Sequence, residues 1–120
     1  MNFTGAIQAH SNWKLRLVAQ CRGTSSEKID VQTLAKDNAC ELGKWIHGLG
    51  QQYASDPRFK QLMNLHASFH KSAAIIAQMI GSGKATEAEA LIHSPESEFG
   101  RLSVGVCSCL MGLRAQYGDA

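Results

Sequence analysis

The chain has 120 residues, of which 44% are hydrophobic and 18% charged, with a formal net charge of +2 at pH 7. These values are typical of one globular domain, predicted here to span residues 1–120. Lys and Arg are spread along the chain, so the charge pattern of a nucleic-acid binder is absent and we expect no nucleic-acid partner. Neither a signal-peptide pattern nor a run of about 18 apolar residues occurs. We therefore expect a cytoplasmic protein without membrane insertion.

The first half of the chain has the apolar periodicity of helices. From residue 3 to about residue 21, apolar side chains recur at steps of three or four, which predicts one buried helix face. A polar, turn-like stretch follows. A second helix should carry Cys40 and end near Gly48, because glycine is common just past a last helical turn. The sequence offers two starting points for this helix, since Asp30 would cap a longer helix and Asn38 a shorter one.

The second half predicts three more helices. The first begins at Asp56, whose following proline suits a first helical turn, and continues to about residue 80. A short alanine-rich helix covers residues 84–92. Ser94 and Pro95 resemble the N-cap and first position of a long final helix. The predicted fold is all-α, an antiparallel four-helix bundle with an additional short helix.

Two histidines of the third predicted helix have a spacing that suits metal binding. His66 and His70 are four residues apart, so both imidazoles leave the same helix face. This spacing alone is more common for surface or hydrogen-bonded core histidines. Here, however, the pair lies on the apolar side of the helix, where two uncompensated imidazoles would be costly to bury. The surroundings therefore favour a metal ion.

Two further residues complete a possible ligand set. His10 interrupts an apolar helix face, where a lone histidine is more often a hydrogen-bonded core residue, and a lone cysteine such as Cys40 is usually a small hydrophobe. Together with His66 and His70 they make a set of three nitrogens and one sulfur, which suits zinc in a closed tetrahedron. A cap at Asn38 would place the thiol in a first helical turn, where the helix dipole lowers its pKa.

The histidine ligands should have outer partners of their own. A carboxylate or carbonyl oxygen is expected to accept the hydrogen of each ligand imidazole. Asp37 and Glu98 are candidates for this role. His47 and His93 are expected to face solvent, as are Lys14 and Arg16.

These residues carry a resemblance to the chemoreceptor zinc-binding domain, often called the CZB domain, over nearly the whole chain. In that family a first helix supplies a histidine followed shortly by tryptophan, here His10 and Trp13. The most diagnostic segment is Cys-x-Leu-Gly-x-Trp, which runs from Cys40 to Trp45 in this chain. A helix with His-x₃-His follows, here His66 and His70.

The resemblance implies a regulatory domain found attached to bacterial chemoreceptors and diguanylate cyclases, and sometimes alone. It implies sensing of zinc, or of oxidants such as hypochlorous acid, through a zinc-bound cysteine, with a link to chemotaxis or cyclic-di-GMP signalling. The expected partners are a signalling protein or a fused output domain, and a second copy in a homodimer. Leu15 and Val18 are a possible part of the dimer surface.

Three other functions are alternatives to a sensor. A zinc enzyme would keep an open coordination position and a general base, whereas Cys40 fills the fourth position and the HASFH segment lacks the glutamate of HExxH. A di-iron site would need carboxylates among the histidines. We therefore expect no enzymatic activity. A zinc-stabilised interaction module without a switch is the remaining alternative. Three other cysteines are expected to be structural: Cys21, Cys107 and Cys109.

Overall fold

The computed structural model describes residues 2–119, and every regular element in this range is helical. Six α-helices and a short 3₁₀ helix follow one another in chain order: α1 (Phe3–Cys21), α2 (Val31–Leu34), α3 (Glu41–His47), the 3₁₀ helix (Leu49–Tyr53), α4 (Pro57–Gly81), α5 (Ala85–His93) and α6 (Glu98–Tyr117). The prediction of an all-α helical bundle is confirmed. None of the described helices is both long and apolar enough to cross a membrane.

The three long helices form the frame of the bundle. Helix α6 runs antiparallel to α4, because Arg58 near the start of α4 bonds the Gly112 carbonyl near the end of α6. Helix α6 also runs antiparallel to α1, since Arg114 near the end of α6 donates to the Thr4 hydroxyl near the start of α1. Phe69 and Phe99 pack against each other between α4 and α6, with ring centroids 5.0 Å apart. Their burial contributes to the hydrophobic free energy that holds the two helices together.

Side-chain caps fix where the long helices begin. Asn2 caps α1 and Asp56 caps α4, and in each case a side-chain oxygen accepts a free backbone N–H of the first turn. The cap of α6 was predicted wrongly at Ser94. Ser97 takes this position, accepting from the Gly100 N–H at 3.0 Å. Its hydroxyl also donates to the Ser94 carbonyl, so the preceding residues form a turn and not a first helical turn.

The predicted second helix is replaced by two short ones. Asp30 does cap a helix, but that helix ends at Leu34, and the chain turns before α3 begins. Asn38 is not the cap of α3. That position belongs to Cys40, which has extended backbone angles and a sulfur atom that accepts from the Gly43 N–H at 3.2 Å. The metal-binding cysteine predicted from the sequence therefore lies at the very start of its helix.

Candidate metal centre

Gly43 allows the Cys40 segment to fold back closely on the residues before it. A Cβ atom at position 43 would lie far inside van der Waals contact with the Asp37 carbonyl oxygen. Only glycine leaves room for that oxygen without a shift of the backbone. Close packing against the Asp37 carbonyl oxygen is thus the reason for glycine at this position.

His66 and His70 lie on the buried face of α4, one turn apart. Each is only 1% exposed, and their ring centroids are 4.5 Å apart. The helix is 25 residues long and packs against α6, so a long helix of the frame carries both imidazoles. The prediction that both histidines face the bundle interior is confirmed.

Cys40, His66 and His70 meet at one point. The Cys40 Sγ atom lies 3.3 Å from His66 Nε2 and 3.2 Å from His70 Nε2, and the two Nε2 atoms are 3.1 Å apart. A tetrahedral zinc ion, bonded at about 2.0–2.3 Å, separates its ligand atoms by roughly 3.3–3.6 Å. The observed triangle is close to that size, and among the described residues these three form a group able to hold a metal ion.

The hydrogen-bonding capacity of the three atoms also fits a cation. The Nδ1 atom of His70 lies 2.8 Å from the Leu34 carbonyl, which can only accept, so the ring hydrogen is on Nδ1 and Nε2 presents a lone pair. Hydrogens on Cys40 Sγ and His66 Nε2 could satisfy at most two of the three contacts. A cation among them would satisfy all three lone pairs at once.

The outer partners of the histidines differ from the predicted ones. The Leu34 carbonyl holds His70, whereas Asp37 pairs with exposed His47 at 3.3 Å and Glu98 is exposed. The His66 Nδ1 atom is buried without a hydrogen-bond partner among residues 2–119. A backbone carbonyl has no side-chain signature, so only the placement of α2 could have revealed the partner of His70.

Burial keeps these imidazoles neutral, which is the form that binds a metal. Loss of hydration, together with the nearby His70 and His10, lowers the pKa of His66 to about 3. Burial likewise lowers the pKa of His70. For Cys40 burial raises the thiol pKa, and the backbone N–H groups of α3 offset this only in part. In the metal-free chain, the effect of burial on the thiol pKa therefore outweighs the lowering expected from the N-terminus of α3.

His10 lies beside the three-residue group without joining it. It is 3% exposed, its ring packs 4.4 Å from the Phe69 ring, and its Nε2 atom lies 3.0 Å from the Ser103 hydroxyl. Burial, followed by the influence of His70, lowers its pKa to about 4. Its ring nitrogens are not part of the close group formed by Cys40, His66 and His70. The role of His10 as fourth ligand stays a prediction.

A cleft of about 530 Å³ opens onto the centre, and all four predicted ligands line it. Trp13 also lines the cleft, and its ring lies 5.9 Å from the His70 ring in an edge-on arrangement. Arg16 was predicted to face solvent. Its side chain is 40% exposed, and it also lies over the Trp13 ring at 3.7 Å and pairs with Glu27 of the loop between α1 and α2. This pairing ties the loop to α1 beside the cleft.

The fold and this centre together define a small helical metal-binding domain. A family model described as the chemoreceptor zinc-binding domain matches residues 10–77, which is more than half of the chain. The chain therefore belongs to the chemoreceptor zinc-binding domain family. The matched segment contains all four predicted ligands. No curated protein and no solved structure matches the chain.

Proposed function

We propose that this chain is a zinc-binding sensory domain that responds to zinc, or to oxidants such as hypochlorous acid, through Cys40, His66, His70 and His10. The observation that carries the proposal is the closely spaced group of one sulfur and two imidazole nitrogens on a family-matched segment. Nitrogen and sulfur donors in a small, closed group favour zinc over the harder cations. Bound zinc would keep the Cys40 sulfur as a thiolate.

The placement of Cys40 suits a switch. The histidines belong to a helix of 25 residues, whereas the cysteine begins a helix of only seven. Hypochlorous acid would oxidise the thiolate by two electrons, giving a sulfenic acid on Cys40 and releasing chloride. The weakened sulfur donor would let α3 part from α4, and the long helices would stay in place. This local movement is the proposed signal.

The output of the domain lies in a partner. We expect a signalling protein or fused output domain of the chemoreceptor or diguanylate cyclase type, acting in the cytoplasm, because the ligand set leaves no group for catalysis. A homodimer is also expected, and Leu15 on α1 is 67% exposed, which suits a contact surface. Val18 packs partly against the core and is less available. Sedimentation of Leu15→Glu against the parent chain would test that surface.

Oxidation of the zinc-loaded chain tests the sensory role. The chain is treated with sub-stoichiometric hypochlorous acid, modified cysteines are mapped by mass spectrometry, and helicity is followed by circular dichroism. We expect Cys40 to react first, with release of zinc and loss of helicity, and Cys107→Ser to behave like the parent. First reaction at Cys21, Cys107 or Cys109, or unchanged helicity after oxidation of Cys40, would favour the alternative of a structural zinc module.

A further inference from the structure

A hydrogen bond joins His10 of α1 to a helix outside the family-matched segment. The Nε2 atom of His10 lies 3.0 Å from the hydroxyl oxygen of Ser103, which is on α6. The family match ends at residue 77, so α6 is a part of the chain to which the match assigns nothing. Ser103 therefore contacts a predicted zinc ligand from outside the matched segment.

The chemistry of a neutral imidazole limits which nitrogen of His10 can bind a metal. Such a ring carries a single hydrogen, and it can bind a metal only through the nitrogen that lacks it. The Ser103 hydroxyl can accept a hydrogen bond, so it can hold the hydrogen on Nε2. The Nδ1 atom then keeps a lone pair, and His10 lines the cleft together with Cys40, His66 and His70.

We propose that Ser103 is a positioning residue for the metal centre. Its hydroxyl oxygen accepts the Nε2 hydrogen of His10, selects the tautomer with a free Nδ1 atom, and orients the ring toward the zinc ion held by the other three ligands. The inference rests on the proposed zinc-binding function. It gives His10 the same kind of outer partner that the Leu34 carbonyl gives His70. Through this hydrogen bond, zinc binding at the centre would involve α6 as well as the helices that carry the ligands.

Zinc affinity of matched variants tests the inference. Zinc binding to the full chain is measured by competition with a chromophoric chelator for the parent, Ser103→Ala, Ser103→Thr and the exposed control Ser108→Ala. Loss of an outer partner weakens metal binding by about 10- to 100-fold, and we expect this for Ser103→Ala only. Ser103→Thr keeps the hydroxyl, so it should bind zinc with the affinity of the parent chain. In a His10→Ala background, Ser103→Ala should cause no further loss.

Ring-nitrogen NMR of the zinc-loaded parent chain gives a second readout that needs no variant. We expect His10 to carry its hydrogen on Nε2, and a hydrogen on Nδ1 would overturn the inference. Unchanged or tighter zinc binding by Ser103→Ala would also overturn it, the tighter case meaning that Ser103 holds His10 away from the metal. Failure of the parent chain itself to bind zinc would instead sink the proposed function.

Discussion

The imidazole of His70 donates its Nδ1 hydrogen to the carbonyl oxygen of Leu34 over 2.8 Å, and this bond ties α2 to the metal centre. Helix α2 has only four residues, too few to be stable alone. Its order therefore depends on the contacts it makes with α4. Since Cys40 begins α3, both short helices are attached to the bundle at the point where the metal donors meet.

Zinc should therefore slow hydrogen exchange in the two short helices. We expect stronger protection of residues 31–34 and 41–47 in the zinc-loaded chain than in the metal-free chain. Helix α5 makes none of the donor contacts and serves as the internal control. The measurement is hydrogen exchange followed by mass spectrometry. Equal protection of the short helices in both states would mean that their order does not depend on the metal.

Substitution of the donors should remove zinc. One zinc per chain is expected for the parent, with binding lost or greatly weakened in Cys40→Ala and His66→Ala, and a lower melting temperature in both because metal binding stabilises the fold. His47→Ala is the matched control, since His47 is exposed and pairs with Asp37. It should bind zinc within about threefold of the parent, as expected for a side chain outside the coordination sphere. Full zinc content in the two donor variants would overturn the ligand set.

Much of the centre could be predicted because it depends on local patterns. The spacing of His66 and His70 specifies a shared helix face, and the motif around Cys40 marks its segment. The cap at Cys40 could not be predicted, since cysteine is a rare cap and Asn38 has the more typical side chain. The Leu34 carbonyl and the Ser103 hydroxyl were also missed. Both depend on how distant elements pack, which no local pattern encodes.

Replacement of Gly43 by alanine should disrupt the centre. The added Cβ would overlap the Asp37 carbonyl oxygen, so α3 must shift and carry Cys40 with it. Overpacking of this kind costs about 1–3 kcal/mol, and zinc binding should weaken as well. Gly81→Ala is the matched control, because a Cβ there meets nothing within 4 Å. Denaturant unfolding and zinc titration of both variants measure the effects, and similar behaviour of the two would show that close packing at Gly43 is unimportant.

The buried histidines should make the metal-free chain sensitive to acid. Burial lowers the pKa of His10 to about 4 and that of His66 to about 3, below the ordinary value of about 6.5. As the pH falls below about 6.5, the unfolded chain takes up protons at these residues, whereas the folded chain does not until the pH nears their lowered values. Each such histidine therefore lowers the free energy of unfolding by about 1.4 kcal/mol per pH unit within this window.

Urea unfolding between pH 7 and pH 4, with a chelator present, tests this expectation. Stability of the parent chain should fall steadily with pH, because His10, His66 and His70 all resist protonation in the folded state. His66→Leu replaces one of these groups with an apolar side chain that cannot titrate. The free energy of unfolding of this variant should therefore fall less steeply with pH, by the contribution of one histidine, about 1.4 kcal/mol per pH unit. Asn64→Ala changes an exposed residue of the same helix that cannot titrate, and it should keep the full slope. An equal slope for His66→Leu and the parent would show that the buried imidazole of His66 accepts protons in the folded chain as readily as in the unfolded one.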